Sequence, residues 1–287
     1  MKLRAAIIML IPALLFYTFS FVGPIGMVVR LSLLKTDYIN TEFVGIQNFV
    51  AAVTDPYFQK SFVNAFIFVL FILPPTVIIA TLISLLLMDF HPRFQSVARF
   101  MVYIPSLTSG YIIALLWKWI LQRDGLINYG LSLFGIEEIP WLFLPWASRV
   151  AISLIDIVSS IGGNVILLSA AVAAIPIDLQ DAAQIDGCTN VQYKRHVVLP
   201  LLMPMILLIT LLMIVGIMKI WSTLYILTPD GGPEGATASP VYELFLTAFR
   251  NSKHGLGAAK GIILLFVIGG IIFFQHRVQK WVRGESH

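Results

Sequence analysis

The sequence predicts an all-α integral membrane protein with about six transmembrane helices. Of its 287 residues 58% are hydrophobic and only 12% charged, with a mean hydropathy of +0.88, more apolar side chain than a soluble core of this size hides. Those residues recur in runs of the ~20 needed to cross a bilayer. Each run must be helical, because hydrocarbon offers no water to a free backbone N–H or C=O.

The first run, about Ala5 to Val29, follows Lys2 and Arg4 and contains Pro12 and Pro24, which kink a helix without ending its passage. It is longer than the ~7–15 residues of a signal-peptide core and lacks an Ala-x-Ala cleavage site, so a retained span is expected. Residues 32–60 are mixed and weakly amphipathic, which predicts a loop or surface helix. Span two is expected from about Ser61 to Met88, followed by a short polar link, Asp89 to Arg99. Span three, about Phe100 to Leu121, carries Pro105 and Gly110 and should bend there.

Residues 122–146 hold charge, Gly, Pro, Trp141 and Trp146, the composition of a membrane interface. Span four is expected over about Ala147 to Ala174, then a polar segment, Ile175 to Pro200, then span five, about Leu201 to Leu227. Residues 228–255 read as an outer loop, Leu256 to Phe274 as span six, and the tail is basic. The first 60 residues form a span and its outer loop; 61–287 form the main membrane domain. Lys and Arg divide evenly between the two sides, and their higher density in the shorter loops leans toward an inside N-terminus.

Several functions find no support. Cys188 is the only cysteine, and His91, His196, His254, His276 and His287 are too far apart for a local metal motif. The net charge of +4 is scattered, with no Lys/Arg-rich run of the kind that binds nucleic acid. No G-x-x-x-x-G-K-[ST] phosphate loop occurs, and the span interiors hold no Ser and His pair suited to an intramembrane protease.

Residues 181–200, DAAQIDGCTNVQYKRHVVLP, are the most informative. A short helix around Asp178 to Asp186 offers Leu179, Ala182, Ala183 and Ile185 as a compact docking surface. Gly187 allows a sharp turn at φ > 0, and Pro200 suits the start of the next span. Asp181-Ala182-Ala183, Gly187, Val197, Leu199 and Pro200 match in spacing the cytoplasmic EAA loop of permease subunits in binding-protein-dependent ABC importers, which this segment resembles with Asp for Glu and Val for Ile. Leu227 to Thr237 (LTPDGGPEGAT), with Trp117, Gly125 and Asn128, is similar to the maltose-type sugar permeases in particular. Asp156 to Gly163 departs from a Trp-x-x-x-Gly seen in many relatives, which bears on substrate contacts and not on the fold.

The resemblance implies a type I importer permease fold with a cytoplasmic coupling helix, set in the bacterial inner membrane as a multi-pass protein with both termini cytoplasmic. It implies ATPase coupling through Asp181, Ala182, Ala183, Gly187, Leu199 and Pro200. It also implies a second permease subunit, a dimeric cytoplasmic ATPase that holds ATP and Mg, and an extracytoplasmic solute-binding protein. No cofactor and no catalytic residue are expected in this chain.

Polar residues inside spans need a reason, since a charge at the bilayer centre costs on the order of 3 kcal/mol on insertion scales. Asp156, Ser160 and Asn164 are four apart and share a helical face. Lys219, with Trp221 and Tyr225 whose polar-tipped rings suit sugars, completes the candidate solute pathway. Packing against a companion subunit accounts for the same residues. The alternative function is a secondary transporter or channel not coupled to ATP, although no internal repeat is found and only Asp156 approaches a carboxylate relay.

Overall fold

A computed structural model of the chain describes residues 2–36 and 41–282. Two compact units result, one formed by residues 1–59 and 243–270, the other by 60–242 and 271–287.

In the first unit, span one is a helix α1 (Lys2–Tyr17), a π turn (Thr18–Val22) and a second helix α2 (Gly23–Ser32). The π turn lies just before Pro24, whose missing N–H would otherwise leave a carbonyl of the preceding turn unpaired. Residues 9–30 are exposed throughout, leaving this helix to lipid or to another chain. A short antiparallel hairpin follows, β1 (Leu34–Thr36) and β2 (Thr41–Phe43), with Lys35 opposite Glu42. The amphipathic stretch is the helix α3 (Gln47–Thr54), whose buried Asn48 donates to the carbonyls of Ser32 and Leu34, both at 2.9 Å. Next comes α4 (Pro56–Leu87), the second span, which continues into the other unit.

The second unit holds most of the crossings. The third is α5 (Pro92–Leu107) and α6 (Gly110–Ile120), bent by 89° between Pro105 and Gly110, where a bend was expected. Thr108 and Ser109 take extended ψ values there, just after Pro105. Gly110 has Ser222 where a Cβ would lie, so the turn is also a close approach. Beyond it, α7 (Leu126–Ser132) sits in the interfacial segment. Asn128 locks that segment, with Ile139 N and Trp141 Nε1 donating to its Oδ1 at 3.1 and 3.0 Å. The fourth span, α8 (Pro145–Ala173), packs along α5: Ser106 donates to the Ser159 carbonyl at 2.6 Å, and Gly162 lets the Val102 backbone come close.

After the short helix α9 (Ile177–Ile185), span five differs from expectation at its start. It begins with α10 (Asn190–Tyr193), passes a π turn (Lys194–Val198) and continues as α11 (Leu199–Met218). Thr189 starts it with a capping box: Gln192 N donates to Thr189 Oγ1, and Gln192 Oε1 accepts from Thr189 N at 2.8 Å. Pro200 therefore lies inside a continuous helix, again just after a π turn. The helix stops at Met218 and α12 (Ser222–Leu227) is a separate piece, although the apolar span as a whole runs Asn190–Leu227 and so ends where expected.

The outer segment contains two tight turns (Pro229–Gly231 and Pro233–Gly235) and then a helix the sequence reading missed, α13 (Pro240–Phe245) with a π turn (Leu246–Arg250). Ser239 starts it, accepting from Tyr242 N at 3.1 Å ahead of Pro240. The last span is α14 (His254–Val282), which spreads over both units; residues 283–287 of the basic tail lie outside the described residues. Among the described residues five helical segments are long and apolar enough to cross a membrane, and the bent pair makes six if it is one span.

Candidate functional site

The EAA-like segment folds as a helix, a turn and a second helix. Asp178 lies in the first turn of α9, where negative charge is favoured by the helix dipole. The C-terminus closes as a Schellman motif: Cys188 N donates to the Ala183 carbonyl at 2.9 Å and Gly187 N to that of Gln184 at 3.0 Å, with Gly187 at φ +74°. Only a residue free of a Cβ adopts that conformation cheaply.

The register of α9 corrects one assignment. Ala183, read from the sequence as part of the docking face, is turned inward and packs with Tyr193, Val198 and Leu202. Its small side chain seats α9 on the start of span five. Asp181 and Ala182 point outward, in company with Ile177 (64% exposed), Leu179, Ile185 (87%) and, beyond the turn, Val191 (73%). Leu199 is half-buried and Pro200 exposed, while the neighbouring Val198 and Leu202 pack with Ala183.

A polar latch joins this start of span five to the end of span two. Asn190 Nδ2 donates to Asp89 Oδ1 at 2.6 Å and Lys194 Nζ to Asp89 Oδ2 at 2.5 Å. Asn190 and Lys194 are one turn apart and therefore share a face. Those two bonds hold the Asp89 carboxyl below the usual carboxylate range.

Deeper in the same unit, Asp156, Ser160 and Asn164 come together as expected, on one wall of a cavity of about 490 Å³ completed by Tyr103, Met213 and Gly216 among others. Ser160 Oγ donates to the Asp156 carbonyl at 2.7 Å, and Asn164 Nδ2 donates to the Ser160 carbonyl at 3.0 Å and reaches Met213 Sδ at 3.5 Å. The remaining pathway candidates are not among the residues lining this cavity. Lys219 caps the end of α11, at the break before α12, and is exposed in the isolated chain. Trp221 and Tyr225 stack at 5.7 Å in an aromatic group with Tyr111 and Tyr242, where Trp221 Nε1 donates to Tyr111 Oη at 2.6 Å.

The Gly-Gly-Pro loop is clamped on its inner side. Asn64 Nδ2 donates to the Gly235 and Ala238 carbonyls at 2.9 and 3.1 Å; Arg149 Nε donates to the Ala236 carbonyl at 3.0 Å and Nη2 to Asn64 Oδ1 at 3.1 Å. Asp230 and Glu234 hold φ of +65° and +54°, a strain of order 1–3 kcal/mol each that such a clamp must offset.

Sequence reasoning missed a buried charge network in the unit of residues 1–59 and 243–270. Lys260, fully buried, donates to Asp55 Oδ2 at 2.7 Å, Glu243 Oε1 at 3.0 Å and Thr247 Oγ1 at 2.6 Å, and lies 5.3 Å from the Phe58 ring centre. The signal was a lysine in an otherwise apolar run, GLGAAKGIILLF.

The chain belongs to the binding-protein-dependent transport system inner membrane component family, whose pattern matches residues 49–284, and is the permease of an ABC importer. It is 29% identical over 232 residues to the trehalose/maltose transport system permease protein MalF of Thermococcus litoralis, spanning 79% of this chain and 76% of that protein. To the osmoprotective compounds uptake permease protein GgtC of Synechocystis sp. it is 26% identical over 265 residues, 90% of this chain and 92% of that one. In fold it resembles a chain of a bacterial ABC transporter involved in the import of the acidic polysaccharide alginate, with a TM-score of 0.84, 19% identity and 96% and 95% of the two chains covered. A chain of the MetNI methionine ABC transporter in an inward-facing conformation aligns with a TM-score of 0.55 and 16% identity, over 83% and 97% of the two chains. Family membership decides against the secondary transporter or channel.

Proposed function

We propose that this permease moves a sugar or similarly hydroxyl-rich solute inward, taking it from an extracytoplasmic solute-binding protein and using ATP hydrolysed by a separate, dimeric ATPase. A second permease subunit completes the pore, and ATP and Mg belong to the ATPase. Relatives named for trehalose or maltose, lactose and arabinooligosaccharides support the solute class.

The observation that carries the coupling assignment is the exposure of Ile177 and Ile185 on a helix closed by a Schellman turn, in the segment between spans four and five. Apolar side chains that far exposed outside hydrocarbon gain free energy when a partner protein covers them. The partner's motion would reach the spans through the Ala183 seat, the capped start of α10 and the Asp89 latch. Asp181, Ala182 and Gly187 serve at the docking surface and Ala183 positions it. A cytoplasmic location for this loop, between spans four and five, puts both termini on the cytoplasmic side.

Affinity purification of the tagged chain from its native membrane in mild detergent, with mass spectrometry of what accompanies it, tests the assembly. An ATPase bearing a phosphate loop and a second six-span permease are the expected companions. A chain that purifies alone beside intact ATPases would contradict the proposal.

A further inference from the structure

The cavity lined by Asp156 has a one-sided chemistry. Among its lining residues there is no Lys, Arg or His, and the Asp156 carboxylate receives no hydrogen bond from any described residue. The donors beside it are already used: Ser160 Oγ–H goes to the Asp156 carbonyl, and the Asn164 amide to the Ser160 carbonyl and Met213. What remains directed at the space is acceptors, namely the two Asp156 oxygens, Asn164 Oδ1 and the lone pairs of Ser160. The Tyr103 hydroxyl is the one further polar group. In its ionised form Asp156 therefore calls for water or a donating ligand in the cavity, because a carboxylate without a partner is costly to remove from water.

We propose that Asp156 makes this cavity selective by charge: it admits neutral polyhydroxyl solutes and cationic amino sugars, whose O–H and N–H groups replace water on the carboxylate, and it disfavours uronic acids and other anions. The inference rests on the cavity being part of the solute pathway. An anionic carboxylate or phosphate would meet the Asp156 charge with the Tyr103 hydroxyl as the one side-chain donor left to it, while each hydroxyl of a neutral sugar supplies a donor to the Asp156 oxygens. Discrimination of this kind is strong, because a mismatched ligand leaves buried polar groups unpaired.

A charge-probe experiment tests this on the assembled transporter in detergent. In a Cys188→Ser background, Ser160→Cys places a thiol one helical turn from Asp156, and its modification by a cationic and an anionic methanethiosulfonate is timed, with Asp156 intact, replaced by Asn or replaced by Glu. A carboxylate about 6 Å away in water favours the cationic reagent by about tenfold. That preference should vanish in Asp156→Asn and persist in Asp156→Glu, each read on complex that still co-purifies with its partners. Equal rates for the two reagents with Asp156 intact would overturn the charge selectivity while leaving the wet pathway standing. A thiol that neither reagent reaches would overturn both.

Discussion

Lys260 Nζ lies 2.7 Å from Asp55 Oδ2 and 3.0 Å from Glu243 Oε1, so one fully buried ammonium joins the residue before span two to the helix before span six. Thr247 accepts its third proton at 2.6 Å and the Phe58 ring covers it. All three donors of the ammonium are used, the condition under which a buried ion pair is tolerated.

Removing the cation leaves two carboxylates facing each other with no counter-ion. Lys260→Met is expected to cost about 3–5 kcal/mol, read as loss of folded protein in detergent or a clear fall in melting temperature. Adding Glu243→Gln should recover part of that loss, because one unpaired charge is then removed. Unchanged stability in the single variant would contradict the network's role.

The same network sets an acid limit. Burial pushes the Asp55 carboxyl up, but the Lys260 hydrogen bond and charge, with the Tyr57 and Phe58 N–H groups, hold it below its usual value on balance. A depressed carboxyl stabilises fully above its unfolded pKa, near 4, and loses that contribution as pH falls through the lower folded value. The melting temperature should therefore change little through this group between about pH 5 and 7 and fall below about pH 4. Asp55→Asn should be less stable at neutral pH and show a shallower acid fall; an unaltered profile would contradict the assignment.

Gly187 stands at φ +74° in the turn that closes α9. Gly187→Ala is expected to cost about 1 kcal/mol and leave transport measurable. Gly187→Pro fixes φ near −65°, breaks the Schellman closure, and should abolish solute-stimulated ATP hydrolysis in a complex that still inserts. Normal coupling in Gly187→Pro would remove the turn from the mechanism.

Ala182 and Ala183 should separate docking from folding. Ala182→Glu adds charge to an exposed face, so normal insertion with weakened ATPase co-purification is expected. Ala183→Glu drives a carboxylate into the cluster of Tyr193, Val198 and Leu202, where an unpaired charge is costly, and should lower the yield of folded permease. The opposite pattern would reverse the register described for α9.

Much of this was legible in the sequence, for identifiable reasons. Long apolar runs locate spans because hydrocarbon leaves the backbone no choice, and the EAA-like spacing located α9, its turn and Gly187. The interruption after Met218 was hidden because Lys219 reads as one charged residue inside an apolar run that resumes with Ile220 and continues to Leu227. There Ser239 donates to the Ile220 carbonyl at 2.7 Å, a long-range bond that no local pattern encodes. The helix α13 was masked by the turn-forming TPDGGPEG before it. The inward register of Ala183 depends on which neighbour α9 packs against, and nine residues of sequence do not specify that. Asp156, Ser160 and Asn164 were found because a period of four places them on one helix face; Lys260 was missed because its two counter-ions lie far away along the chain.

The central claim, that residues 177–188 dock on a cytoplasmic ATPase, is most directly tested at Cys188, the single cysteine, which is exposed at the end of that segment. Its modification by a membrane-impermeant maleimide should be timed in inside-out vesicles with the ATPase bound and after the ATPase is stripped away. Slow labelling with the ATPase present, rapid labelling after stripping and none from the outer side are the expected results. Equal rates with and without the ATPase, or labelling from the outer side, would contradict the account.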